Sequence, residues 1–510
     1  MLVKITLLLL FFGCMIAVGL YARKSANSMT DFVLGGRSVG PWLSAFAYGT
    51  SYFSAVVFVG YAGQFGWKYG LASTWIGLGN AVIGSLLAWV AMGRRTRVMT
   101  HHLEVATMPD FFGRRYDSNV IKIVASAIAF VFMIPYTASV YNGLSRLFGM
   151  AFDIPYTVCV ITMAVLTGVY VILGGYMATA INDFIQGIIM LFGIVAVIGA
   201  VLSGQGGFIE AVRKLSELPS DVPVTMGQQG AFASFFGTDP LNLLGVIILT
   251  SLGTWGLPQM VHKFYAIKSE KAIKTGTIVS TFFAVIVSGG CYFLGGFGRL
   301  FDAEALYKAD GSVMYDAIVP SMLSTLPDLL IGVVIILVLS ASMSTLSSLV
   351  LTSASTLTLD FIKGNIVKEM NDKKQLIYIR VLIVFFIVIS VVLALNPPTF
   401  IAQLMGISWG ALAGAFLAPF LYGLYWKGVT RAGVWASFLC GVGITVSNMF
   451  FKFIASPINA GAAAMIAGLI ITPVVSLVTP KINAAFVNKI FQCYDNTAKV
   501  SSKEYLKEEA

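Results

Sequence analysis

The sequence predicts an all-α polytopic membrane protein with about thirteen transmembrane helices. Three observations carry that prediction. Only 11% of the 510 residues are charged and 57% are hydrophobic, against about 25% charge in a soluble domain. The apolar residues form continuous runs of about 20, the length that crosses the hydrocarbon core as a helix. Basic residues gather in alternate connections between those runs. Lipid offers the backbone no partners, so spans must be helices or a closed barrel, and runs this long select helices over short alternating strands.

Runs bounded by Gly, Pro and charge cover approximately 2–22, 41–62, 71–93, 119–147, 155–173, 178–203, 240–261, 274–298, 328–359, 376–395, 399–425, 430–453 and 459–479. The first, Leu2 to Leu20, has the look of a signal peptide. Tyr21-Ala-Arg-Lys follows with no small-residue cleavage pattern, so it is taken as a retained span. With the N-terminus outside, about 25 of the 33 Lys and Arg fall on inside segments. Arg94, Arg95, Arg97, Arg114 and Arg115 fill one inside loop, and Lys363, Lys368, Lys373 and Lys374 another. The formal charge of +10 is therefore a topological bias, and no nucleic-acid partner is expected. The more polar outside segments 204–239 and 299–327 are expected to hold short helices or lids. The tail 481–510 is expected to be solvated and cytoplasmic.

Cys14, Cys159, Cys291, Cys440 and Cys493 are scattered, mostly in apolar runs. They predict neither disulfides nor a zinc site. Of the 23 acidic residues, Asp183 alone falls inside a span on this map, in Asn182-Asp-Phe-Ile-Gln186. It is either a helix-end residue that still touches water or a cation or proton site. His101, His102 and His262 map to inside loops, and no catalytic constellation arises, so an enzyme is not expected.

Span nine carries Ser340-Ala-Ser-Met-Ser-Thr-Leu-Ser-Ser348. Ala341, Ser344, Thr345 and Ser348 share one helix face, with Ser347 at its flank. Small hydroxyl residues let helices pack closely in lipid. They are also suitable neutral oxygen ligands for a hard monovalent cation, provided freed carbonyls complete the shell. Span two, with Ala47-Tyr-Gly-Thr-Ser-Tyr-Phe-Ser-Ala55, has poor helix formers at mid-depth. Span seven, with Thr250-Ser-Leu-Gly-Thr-Trp-Gly-Leu-Pro258, can break at Gly253, Gly256 and Pro258. The breaks lie five spans apart, and an odd number reverses the direction of entry. That is the pattern of an inverted repeat with a site between broken helices. The repeats would cover about 41–203 and 240–425 of a single domain spanning 1–480, with extra helices at 2–22, 430–453 and 459–479.

These motifs resemble the sodium:solute symporter family over roughly residues 5 to 480. The resemblance rests on Asp31-Phe-Val-Leu-Gly-Gly-Arg-Ser38, Leu173-Gly-Gly-Tyr176, Asn182-Asp-Phe-Ile-Gln-Gly187, Gly256-Leu-Pro258 and Met343-Ser-Thr-Leu-Ser-Ser348. It implies the leucine-transporter-type 5+5 inverted-repeat fold with an additional N-terminal helix. It also implies a multi-pass protein of the cell membrane that imports a small organic solute with Na+ as coupling ion and no other cofactor. A monomer or weak oligomer is expected.

The resemblance places a main sodium site at the carbonyls of Thr50, Phe53 and Ala341 and the hydroxyls of Ser344 and Thr345. A second site, known in some members, matches Asp183, Ser344, Ser347 and Ser348. Among solutes, an amino acid such as proline leads. Pantothenate or another monocarboxylate is the alternative, favoured by Tyr69-Gly-Leu and the Asn182-Asp pair. A sensor or channel on the same fold ranks below both. The family's proline transporters carry an Asp where this chain has Tyr52, and a Trp and a Tyr where it has Thr250 and Thr254. Tyr136 matches a substrate-contacting aromatic. Trp255 would supply the missing wall, or else simply pack between helices, and Ser54 beside the break completes the expected solute contacts.

Overall fold

A computed structural model describes residues 2–25, 28–152, 154–363, 365–367 and 369–495. The last part of the expected tail, 496–510, lies outside the described residues. Among the described residues no β-strand forms, and extended pairing is limited to isolated bridges. The helices that matter for the site are α1 (Leu2–Ala22), α2 (Pro41–Tyr52), α3 (Val56–His102), α4 (Asn119–Phe152), α5 (Tyr156–Gly204), α6 (Pro240–Gly256) and α7 (Pro258–Tyr265). They continue with α8 (Glu270–Gly295), α9 (Asp328–Thr356), α10 (Asp372–Leu395), α11 (Ile401–Tyr425), α12 (Arg431–Phe451) and α13 (Pro457–Val478). Among the described residues, ten helices are long and apolar enough to cross a membrane, or up to eleven with the bent pair α6–α7 as one span.

Two of these are twice the needed length. Helix α3 has 47 residues and α5 has 49, or about 70 Å each at 1.5 Å per residue, against about 30 Å of hydrocarbon. Each is interrupted at one glycine in a conformation open only to glycine. Gly70 has φ 61° and ψ −141°, and Gly175 has φ 56° and ψ −148°. A Cβ on Gly70 would lie 2.0 Å from the carbonyl oxygen of Phe232, and one on Gly175 2.6 Å from that of Phe32. The runs expected at 155–173 and 178–203 are thus the two arms of α5, joined at a glycine turn too short to count as a loop.

Helix α2 begins on Pro41 and ends when Phe53 turns extended, φ −106° and ψ 105°. The helical path resumes at Val56, whose N–H donates to Ser54 Oγ at 3.2 Å. Helices α6 and α7 meet at a 45° bend. Leu257 is extended there and Pro258 has no N–H to continue the ladder. Helix α9 runs through the middle, packed on α1, α2, α4, α5 and α10. Burial covers 78% of its most apolar window, against 33% for α10, which faces outward.

The expected solvated tail is partly docked. Residues 484–495 are helical, with Val487, Ile490, Phe491 and Cys493 buried. Arg95 lies between the rings of Tyr425 and Tyr494, at 4.1 and 4.6 Å. The apolar side of an otherwise charged segment, with Phe491 and Tyr494 as anchors, explains the difference.

Candidate functional site

The end of α2 leaves carbonyls with no amide four residues on, and α9 presents hydroxyls to them. Ser344 Oγ donates to the Thr50 carbonyl at 2.8 Å and stands 3.2 Å from that of Ala341. Thr345 Oγ1 lies 3.4 Å from the Thr50 carbonyl, 3.3 Å from that of Ser51 and 3.1 Å from that of Ala341. Five oxygens therefore converge, all on buried residues and none formally charged. The Ser51 carbonyl is the member that the sequence did not single out. Phe53 sits one residue past the helix end, its ring stacked on Tyr52 with centroids 4.3 Å apart.

One turn further along α9 the neighbourhood is charged. Asp183 is fully buried, and Lys263 Nζ stands 3.5 Å from its Oδ2. The same ammonium donates to Ser348 Oγ at 2.9 Å, and Ser348 Oγ pairs with Ser51 Oγ at 2.8 Å. Ser347 turns back to its own helix, donating to the Ser344 carbonyl at 2.9 Å. Lys263 and its neighbour His262 lie in α7 rather than in an inside loop, with 2% and 4% exposure. Helix α7 runs four residues beyond the expected end of span seven because Gln259, His262 and Lys263 share an inward face. That spacing was the available signal. Asp183 is also not alone as a buried carboxylate. Asp360, expected at the start of a loop, is 1% exposed and accepts from Thr107 Oγ1 at 2.6 Å. Wide helical turns carry the chain on from α9 to Ile362.

Beyond the break lies an aromatic cluster. Tyr52 stacks on Trp409 at 5.8 Å and 26°, and Tyr136 meets the same indole edge-on at 5.8 Å and 81°. Tyr136 points its hydroxyl towards Ser54 and Trp409. The hydroxyls of Tyr61 and Tyr136 and the Trp409 N–H are buried without a protein partner in hydrogen-bonding geometry. Buried donors left so usually serve a ligand or water. Trp409, on α11, was missed by the sequence reading.

The span-seven residues are placed differently. Trp255 donates its N–H to the Ile83 carbonyl at 2.9 Å and packs α6 on α3. Thr254 Oγ1 donates to the Gly84 carbonyl at 3.0 Å and Thr250 Oγ1 to that of Val246 at 2.9 Å. Tyr52 donates its hydroxyl to the Thr250 carbonyl. The structure thus brings Tyr52, Ser54 and Tyr136 together, ties in Thr250 through its backbone, and sets Trp255 against another helix.

A cavity of about 470 Å³ lies beside Asn142, Arg146, Lys308, Tyr315, Asp316 and Thr399. Asp316 accepts the Ile401 N–H at 3.3 Å, and burial pushes its carboxyl up to about 6.

The fold and the convergence of neutral oxygens on a broken helix define an all-helical membrane protein built around an internal site. The chain belongs to the sodium:solute symporter family, whose profile matches residues 32–441. It is 30% identical over 495 residues to the sodium/proline symporter of Staphylococcus aureus strain JH9, covering 92% of this chain and 91% of the relative. The same figures hold for the symporter of strain NCTC 8325. Among solved structures, a Na+-coupled sialic acid symporter in a substrate-bound outward-open state shares the fold. Its TM-score is 0.77 at 16% identity, with 94% of this chain and 98% of that one covered. A nucleobase-cation-symport-1 family transporter in a closed conformation matches at TM-score 0.55 and 13% identity, over 91% and 98% of the two chains. Family and neighbours alike are transporters, not enzymes.

Proposed function

We propose that this protein imports a small amino acid, proline foremost, across the cell membrane together with Na+ by alternating access. The observation that carries the reading is the meeting of the Thr50 and Ala341 carbonyls with the Ser344 and Thr345 hydroxyls at the end of α2. Sodium wants about five or six oxygens, and neutral donors supply them without a buried counter-charge. The Phe53 carbonyl, one residue beyond, would complete the shell. An ion there ties α2 to α9, and such a tie favours whichever state of the cycle closes the two helices together. Tyr52, Ser54, Tyr136 and Trp409 would hold the solute, with the Ser54 and Tyr136 O–H and the Trp409 N–H facing its carboxylate and the Tyr52 ring, its hydroxyl held by the Thr250 carbonyl, against its apolar part.

The same reading takes each long helix, α3 and α5, as two spans and α6–α7 as one, giving thirteen spans in a 5+5 inverted repeat. The N-terminus would lie outside and the C-terminus in the cytoplasm. The test is uptake of labelled proline into proteoliposomes under an inward Na+ gradient, with and without excess pantothenate. Sodium-driven proline uptake supports the reading. Uptake of pantothenate instead would move the solute assignment to a monocarboxylate, and no sodium dependence with either would remove the sodium site.

A further inference from the structure

We propose that the Lys263 ammonium is a tethered cation that occupies the second cation position of this chain, so that one Na+ rather than two is bound per cycle. The proposal rests on the main-site reading above and refines its stoichiometry. Asp183, Ser344, Ser347 and Ser348 are the oxygens expected to hold a second sodium. The structure sets Lys263 Nζ against two of them, 2.9 Å from Ser348 Oγ and 3.5 Å from Asp183 Oδ2, while Ser344 and Ser347 donate to the Thr50 and Ser344 carbonyls. The ring of Tyr176 covers the ammonium, with its centroid at 5.2 Å. Carboxylate, hydroxyl and aromatic face are the partners an ammonium selects once water is stripped away.

The charge balance argues the same way. Lys263 and Asp183 are buried to 2% and 0% exposure and form a neutral pair. A sodium ion added there would leave a net positive charge in a dry site, with no second carboxylate on the hydroxyl face of α9 to offset it. A tethered ammonium cannot be released to the cytoplasm, so it supplies the charge without drawing on the sodium gradient. It also keeps α7, the second half of the broken span, tied to α5 and α9. The Ser51–Ser348 hydroxyl pair at 2.8 Å links this position to the break in α2. The two cation positions therefore share one wall, and a change at either is felt at the other.

The test is the number of 22Na+ ions bound per purified protein in nanodiscs, with the Hill coefficient of the sodium titration. Wild type is expected to bind about one ion with a coefficient near 1. Lys263→Met, which vacates the position and leaves the carboxylate, is expected to bind about two, with the extra ion stabilising the fold as sodium is raised. The double variant Lys263→Met/Asp183→Asn, neutral again, is expected to return to about one. Two ions in wild type, or one in a monodisperse Lys263→Met protein, overturns the proposal. If Lys263→Met does not fold even in high sodium, the wild-type count still decides it: two ions there are incompatible with a resident ammonium, and one ion with a coefficient near 1 is the result expected. No bound ion in wild type, or one that survives Thr345→Ala at full affinity, would instead refute the main site.

Discussion

Thr345→Val removes one hydroxyl and keeps the shape of the side chain. In the structure that hydroxyl is the group facing the Ser51 carbonyl, at 3.3 Å, while the Thr50 carbonyl keeps Ser344 at 2.8 Å. Leaving one buried carbonyl without its partner costs about 1–3 kcal/mol. With sodium bound, the same oxygen is one of about five or six ligands, and a tenfold change in affinity corresponds to about 1.4 kcal/mol. The expected outcome is at least a tenfold rise in the sodium concentration for half-saturation. Ser344→Ala should behave alike. Thr345→Ser, which retains the oxygen, should stay within about threefold of wild type. Ser347→Ala should also stay close, because its hydroxyl is spent on the Ser344 carbonyl of its own helix at 2.9 Å. The assay is the sodium dependence of thermal unfolding of purified protein, in which a ligand of the native state raises stability by RT ln(1 + [L]/Kd). It separates weakened binding from a protein that is merely less stable without sodium. An unchanged half-saturation in both Thr345→Val and Ser344→Ala would refute the assignment of these hydroxyls.

Trp409→Ala is expected to weaken solute binding at least tenfold with sodium affinity little changed, whereas Trp255→Ala should mainly lower stability. Isothermal titration with proline at saturating sodium distinguishes them, and the reverse ranking would return Trp255 to the solute wall. Gly175→Ala should abolish accumulation of folded protein, since φ is 56° and the new methyl would meet the Phe32 carbonyl at 2.6 Å; size-exclusion chromatography after mild solubilisation reports this, and a monodisperse variant would contradict it. Asp316 gives a pH signature. Its folded value of about 6 lies above the ordinary 3.8, so the stability it contributes is present below about pH 4 and lost as pH rises through about 6. The stability advantage of Asp316→Asn over wild type should therefore grow between about pH 4 and pH 6 and level off above; a difference in melting temperature that is flat across that range would show that the carboxyl is not perturbed.

How much of this was legible in the sequence depends on whether the signal was local. The breaks after α2 and at Leu257 were, because the stretch from Gly49 to Ser54 is poor in helix formers and Pro258 is itself a poor one, although Gly49 and Thr50 stay helical and the chain opens only at Phe53. The hydroxyl face of α9 was legible by helical periodicity alone. Trp409 was not. Its run, Gly406 to Gly414, looks like any close-packed transmembrane helix, and what singles it out is contact with Tyr52 and Tyr136 from two other helices. Trp255 gave an equally plausible local signal and is instead held by the Ile83 carbonyl.

Lys263 shows why one sequence rule obscured another feature. Basic residues were assigned to inside connections, and that assignment oriented the chain. It also absorbed Lys263, five residues past the helix break at Pro258, into a loop. An ammonium at that depth is expensive unless paired, so its partner must be sought among the buried acids, and the sequence left Asp183 as either a water-touching helix end or a cation or proton site. Taken together, the two anomalies predict each other: a carboxylate in α5 without a counter-charge, and an i, i+3, i+4 polar face on a short helix opened by proline. The pairing at 3.5 Å makes the inner half of this site electrically neutral before any ion arrives. Sodium at the neutral oxygens near Thr50 would then be the one mobile charge the protein itself binds, and a zwitterionic solute would add none. Each cycle would on that account move about one positive charge, and solute-induced current in a voltage-clamped membrane should be sodium-dependent and carry about one charge per proline. Two charges per proline would mean that Lys263 gives way to a second ion.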